Sequence, residues 1–341
     1  MEIKDALGIG KVLPVEKLTE ILSKAVGRIS KSYFDKKDAQ SKAYEIKALA
    51  DAKAYEMKVL GEAIKENAIG TGGIEYKEQQ LQISSSKDLT RIPDIDLSAR
   101  IDERILFQDA QRQINLESIT AIAADQLKDE GEIESDPIDQ DWFNKFFRYS
   151  EDISNEEMQK LWGKILAGEI LRPKSFSLRT LEIIRNLSKE EADIITKVAN
   201  FCINANHDYF LFKGDDNAYE KYNISSYDIF LLTELGILQS GSFLTFRLSK
   251  TTTGNKTIMI LGKKILVVER QPNSPEVFIP IEIFTSVGKQ ILKLLDIDAH
   301  EEYFNEYAKY LAKKGDKVFQ GSIIDRIGDM IKHTPLVPFI D

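Results

Sequence analysis

Apolar residues recur at three- and four-residue steps at Val15, Leu18, Ile21, Leu22, Ala25, Val26, Ile29 and Tyr33, a period that predicts a helix from Val15 to Phe34 with one apolar face. Pro14 suits its first turn, where a missing N–H costs nothing. A second helix announces itself as a repeated phrase, Lys-Ala-Tyr-Glu-Ile-Lys-Ala-Leu from Lys42 returning as Lys-Ala-Tyr-Glu-Met-Lys-Val-Leu from Lys53. Eleven residues in three turns is about 3.67 per turn, so equivalent side chains stay aligned along the whole helix. Two apolar stripes result. One runs through Ala43, Ile46, Leu49 and Ala50 and is echoed by Ala54, Met57, Leu60 and Gly61; the other joins Tyr44, Ala48 and Ala52 to Tyr55, Val59 and Ala63. Lys47 with Asp51 and Lys58 with Glu62 fill a seam between them as i,i+4 pairs. A helix with two apolar sides needs neighbours on both, so the repeat predicts a coiled-coil-like subunit contact through Tyr44, Ile46, Leu49, Tyr55, Met57 and Leu60. An ordinary long helix built from good helix formers is the alternative.

Gly70, Gly72 and Gly73 end the repeat, and Leu81-Gln82-Ile83 reads as strand-like. Ile101, Ile105, Leu106, Ala110, Ile114, Ile119, Ile122 and Ala123 mark a further long helix over about 97–128. It stops in the acidic run Asp129 to Pro137, which has the composition of a solvated linker. Beyond it come an aromatic helix with Trp142, Phe143, Phe146 and Phe147, a helix from Met158 to Leu171 capped by Ser154 or Asn155, and two more over 176–187 and 190–204. After Asn206 the period changes. Strands are predicted at 209–212, 243–248, 257–261 and 264–269, with helices at 227–235, 283–295 and 301–314. The succession of helix, strand and hairpin around Leu231 to Leu238 is similar to a winged-helix-like module. The fold class expected is therefore α+β and mostly helical: long N-terminal helices, a helical domain, and a small winged-helix-like module. The segments are 1–70, a connecting 71–140, a helical 141–205 and a C-terminal 206–341.

Composition narrows the function classes. In 341 residues, 43% are apolar and the net charge is −9, so the chain can build real cores and has no general attraction for nucleic acid. The first 37 residues nevertheless carry eight basic against five acidic side chains, which brings in peripheral membrane contact through residues 15–34 as an alternative to packing on protein. From Lys36 to Glu66 seven lysines face six acids, too balanced for strong pull to an anionic surface. No apolar run reaches the ~18 residues of a membrane span and no secretory start is recognisable, so a cytoplasmic site is expected, with a peripheral place at the inner membrane as the variant. The lone Cys202, between Phe201 and Ile203, reads as a buried, inert thiol.

Candidate chemistry is sparse. His207, His300 and His333 lie far apart with no second ligand at metal spacing, and neither a phosphate-binding glycine loop nor a nucleophile elbow occurs. His207-Asp208 and Asp215-Asp216 read as soluble loop residues rather than a nuclease centre. No catalytic residue, metal or cofactor is expected. Arg172, Lys174, Arg179 and Arg185 form the best basic cluster and are the candidates for an anionic ligand or nucleic acid. Trp162, Gly163 and Gly168 read as packing and close-approach positions.

Leu161-Trp162-Gly163-Lys164-Ile165-Leu166-Ala167-Gly168, with Arg172-Pro173, Ser175 to Leu181 and Leu187 to Ala192, resembles a bacterial family, the domain of unknown function 2806. The acidic linker and Leu232-Thr233-Glu234-Leu235-Gly236 fit as well, and Phe284-Thr285-Ser286-Val287-Gly288 departs from the pattern by Phe for Leu. The resemblance covers roughly 96–295 and supplies no catalytic residues. What it implies is a setting in mobile islands or phage defence. The function expected is a non-enzymatic, homo-oligomeric defence or stress-regulatory protein that assembles through its N-terminal helices and recognises a phage or host protein with its C-terminal module. The alternatives are a nucleic-acid-binding winged-helix-like protein and a membrane-active abortive-infection effector.

Overall fold

A computed structural model describes residues 11–25, 74–77, 80–83, 97–134, 137–214, 218–239, 241, 244–327 and 330–339. The chain divides into two units, Met1–Pro173 and Lys174–Asp341. The segment borders expected near residues 70 and 140 fall inside the first, and that near 205 inside the second. The repeat with Tyr44, Ile46, Leu49, Tyr55, Met57 and Leu60 lies outside the described residues.

In the first unit, β1 (Lys11–Val12) leads into α1 (Pro14–Ala25), which buries Leu18 and Leu22, the i,i+4 pair on its apolar face. A hairpin of β2 (Ile74–Lys77) and β3 (Gln80–Ile83) precedes α2 (Leu97–Leu127). Next, β4 (Ile133–Glu134) pairs antiparallel with β1, so part of the expected acidic linker is a strand. Asp139 caps α3 (Gln140–Ser150) by accepting from the N–H groups of Asp141 and Trp142, and Asn155 caps α4 (Glu156–Leu171) by accepting from Met158. The core of this unit is a seam between α2 and α4 with the aromatics of α3 at its side. Phe146 stacks on Trp142 and lies 5.2 Å from Trp162, while Leu116, Ile119, Ala123 and Leu127 of α2 are buried.

The two helices of the seam run parallel. Asn115 meets Gln159 near the start of α4, and one turn further Ile119 and Ile122 meet Gly163. A Cβ on Gly163 would stand 2.5 Å from Ile122 Cγ2 and 3.3 Å from the Ile119 carbonyl, so glycine sets the close approach there. Asn115 closes the end of the seam: its amide donates to the Glu151 carbonyl (2.8 Å), and its oxygen accepts from Gln159 (3.4 Å).

The second unit begins with α5 (Leu178–Asn186), capped by Ser177, and α6 (Lys189–Ala199), which has a capping box between Ser188 and Glu191. Strands β5 (Ile203–Ala205) and β6 (Asp208–Phe212) form a hairpin about Asn206 and His207, both at positive φ, as a two-residue turn of this hand requires. Helix α7 (Ser226–Glu234) ends at Gly236, φ +69°. It is followed by β7 (Leu238–Gln239), β8 (Thr245–Leu248), β9 (Asn255–Leu261), β10 (Lys264–Arg270) and β11 (Val277–Phe284). Helices α8 (Ser286–Leu292) and α9 (Glu301–Lys313) precede β12 (Lys317–Ile327), β13 (Met330–His333) and β14 (Val337–Pro338).

These strands make one ten-stranded antiparallel sheet in the order β13-β12-β10-β9-β5-β6-β11-β7, with β14 also on β12 and β8 also on β11. This corrects the expectation of a mostly helical chain ending in a small winged-helix-like module. A wing needs the strands after its helix to pair with each other. Here β7 and β8 both pair with β11, and the β9–β10 hairpin is built into the sheet between β5 and β12. Helix α9 covers Phe210 and Phe212 with Tyr303 and Tyr307, and the Tyr303 hydroxyl donates to the Phe212 carbonyl (3.1 Å).

Candidate functional site

The second unit holds a cleft of about 870 Å³ between the β9–β10 turn and the connection from α8 to α9. Its geometry follows from two local constraints. Gly262, φ +54°, forms the turn, and a Cβ there would lie 2.7 Å from the Ile297 carbonyl, so a side chain would push the connection away. From the other side, Asn200 fixes the connection by accepting from the Asp298 N–H at Oδ1 (2.9 Å) and from the His300 N–H at its carbonyl (3.1 Å). Ile260, Leu292 and Cys202 supply apolar lining; Lys263, Lys293, Asp296 and Asp298 bring exposed charges of both signs. Lys264 and Glu301, also on the lining, are paired with each other at 2.6 Å. Burial pushes the Cys202 thiol well up, against a weaker opposing pull from Lys289, so it is protonated at neutral pH and a poor nucleophile. The cleft can take a small ligand or a peptide side chain, and its charges suit no single sign of partner.

Other buried polar groups in this unit hold the fold. Arg270 donates to the Asp316 carboxylate (3.1 Å), to the Leu248 and Ser249 carbonyls, and to the Pro275 carbonyl, so it clamps three connections to β10. Glu282 accepts from Lys213 at 3.0 Å. Burial, and then the Glu282 charge, push the Tyr219 hydroxyl up. Asp228 sits in the N-terminal capping box of α7. Burial pushes its carboxyl up, but hydrogen bonds from Lys197 (2.7 Å) and from Ser225 outweigh it and hold the group below the usual aspartate range.

The three histidines are separate: His207 in the β5–β6 turn, His300 capping α9 and stacked on Phe201, and His333 on β13. Among the described residues no group of three or more His, Cys, Asp or Glu is placed to hold a metal ion. Of the basic candidates, Arg172 is the C-cap of α4 in the first unit. Lys174, at φ +69°, precedes α5 in the second, and Arg179 and Arg185 lie on α5 itself. All four are exposed. Six residues apart on one helix, Arg179 and Arg185 point about 120° away from each other, so they diverge rather than converge.

A feature that periodicity alone did not separate is the first half of α2. Because α4 begins opposite Asn115, α2 extends past it by residues 97–110, a projecting arm roughly 20 Å long. Leu97 (61% exposed), Ile101, Ile105 (45%), Leu106 and Phe107 (59%) are all exposed there. The apolar period was legible, but the exposure of these side chains was not. Among the described residues no helix is long and apolar enough to cross a membrane.

No curated protein and no solved structure matches the chain. A family model does, over residues 99–308, and its description is protein of unknown function, DUF2806. That span takes in all but the first two residues of the arm, the α2–α4 seam with Trp162 and Gly163, and most of the sheet, and by it the chain belongs to the DUF2806 family.

Proposed function

We propose that this chain is a non-enzymatic assembly and recognition protein. Its first unit self-associates through the α2 arm together with the eleven-residue repeat at 42–63, and its second unit offers the cleft between the β9–β10 turn and the α8–α9 connection to a partner. The observation that carries the reading is the arm: five large apolar side chains stand in solvent on one stretch of helix whose continuation buries Leu116, Ile119, Ala123 and Leu127. Apolar surface concentrated in this way marks interaction sites. The protonated thiol and the mutually paired Lys264 and Glu301 support binding rather than chemistry in the cleft. A cytoplasmic defence or stress-regulatory role is the setting proposed with it.

Light scattering of the full-length protein tests this. An oligomer at micromolar concentration that dissociates in Ile105→Asp/Phe107→Asp supports it, and a monomeric wild type overturns it. Substitution is preferred to removal of residues 1–70, because α1 buries Leu18 and Leu22 in the first unit's core. Tyr55→Asp/Leu60→Asp tests the contribution of the repeat in the same assay.

A further inference from the structure

The arm has a defined face. Placed at 100° per residue, Leu97, Ile101 and Ile105 fall within about 80° of arc, on the side where Ile119 and Ala123 are buried further along the helix. The apolar stripe therefore continues an occupied seam past the point where α4 begins. Its two edges differ in sign. Arg100 and Arg104 flank it on one side, Asp102 and Asp109 on the other, and all four side chains are exposed.

Such a helix can meet a second copy of itself in two ways. In an antiparallel two-fold pair each edge faces the same edge of the partner, so arginines would meet arginines and aspartates aspartates. In a parallel two-fold pair each edge faces the opposite one. Arg104 then comes beside Asp109 of the second copy, five residues further along, the offset at which flanking charges meet in parallel two-stranded coiled coils. The symmetry makes that contact twice.

We propose that two copies of this chain pair in parallel and in register through residues 97–109 of α2, with Ile101 and Ile105 meeting their own counterparts across the two-fold and Arg104–Asp109 contacts closing both edges. This rests on the assembly reading above and adds its geometry. Like-charge contacts disfavour the antiparallel arrangement, and the charge pattern makes one face of the helix complementary to itself.

Cysteine crosslinking of the full-length protein tests the register. Cys202 is only 3% exposed, so wild type stays uncrosslinked under mild oxidation and an introduced thiol reports alone. Ile105→Cys is expected to give a disulfide-linked dimer on a non-reducing gel, because residues on the two-fold approach within disulfide reach. Phe107→Cys, on the far side of the helix, is expected to give none. Arg104→Glu should weaken dimerisation roughly three- to tenfold, and Arg104→Glu/Asp109→Arg should restore it. An oligomer in light scattering that fails to crosslink through residue 105, or that the double exchange does not restore, overturns the parallel pairing and leaves assembly standing. A monomer overturns both.

Discussion

Ile105 and Ile119 stand about four turns apart on the same side of one continuous helix, yet the first is exposed and the second fully buried. Nothing in their own residue type or spacing separates them. The difference comes from α4, which begins opposite Asn115 and runs parallel to α2 from there, so that among the described residues α4 covers the second half of α2 and not the first. An amphipathic period states which side of a helix needs covering. What covers it, and how far, is decided by elements elsewhere in the chain or in another chain.

Four substitutions test that contrast. The largest effect belongs to Ile119→Ala, which should cost roughly 2–5 kcal/mol in urea unfolding; a cost below about 1 kcal/mol would show that the seam is loosely packed. Gly163→Ala should cost about 1–3 kcal/mol, because the new methyl meets Ile122 and the Ile119 carbonyl at the closest point of the two helices. Asp228→Asn supplies a titrating contrast in the second unit. The native carboxyl is held below its unfolded range, so its stabilisation is full above pH about 4 and disappears as pH falls through the lowered value. Unfolding curves of wild type and Asp228→Asn should therefore differ at neutral pH and converge in acid, whereas the Ile119 effect should not depend on pH in this way. The smallest effect is expected for Ile105→Ala, within about 0.5 kcal/mol of wild type in dilute, monomeric protein. A cost equal to that of Ile119→Ala would mean that the arm is already covered within its own chain.

Much of the described part of the first unit was legible because its signals are local. The apolar period of α2 gave 97–128 against an observed Leu97–Leu127, and Asn155 was one of the two residues named as the cap of α4. Strands β6, β9 and β10 were likewise visible in short apolar runs. Strand β11 was not. Pro280 interrupts its pattern, and Ile283, with Phe284 behind it, read as the start of a helix that in fact begins at Ser286. A proline lacks the N–H of a ladder position and argues against a strand. In the sheet Pro280 sits opposite Thr245, and its carbonyl still accepts from the Lys213 N–H. The sheet as a whole was illegible for a second reason. Its defining pairs join residues distant in sequence, Asn204 with Ile260, Phe212 with Ile281 and Leu266 with Gln320, and no local period encodes such partners. The cleft inherits that difficulty, since its walls come together only when the sheet does. Gly262-Lys263 was visible as a strand break, but what the turn packs against was not.

The pairing of Lys11–Val12 with Ile133–Glu134 bears on the order in which the protein is made. Helix α1 leaves the ribosome before the strand that anchors its start and before α2 and α4, on which it packs, and these lie about 75 to 150 residues further along the chain. At about 5–20 residues per second, α1 waits roughly 4–30 s for the elements it packs on. Through that interval the nascent chain presents a sticky helix to whatever is near, including an identical chain on the next ribosome of the same message. For the pairing proposed above, the first encounter between copies can therefore take place during translation.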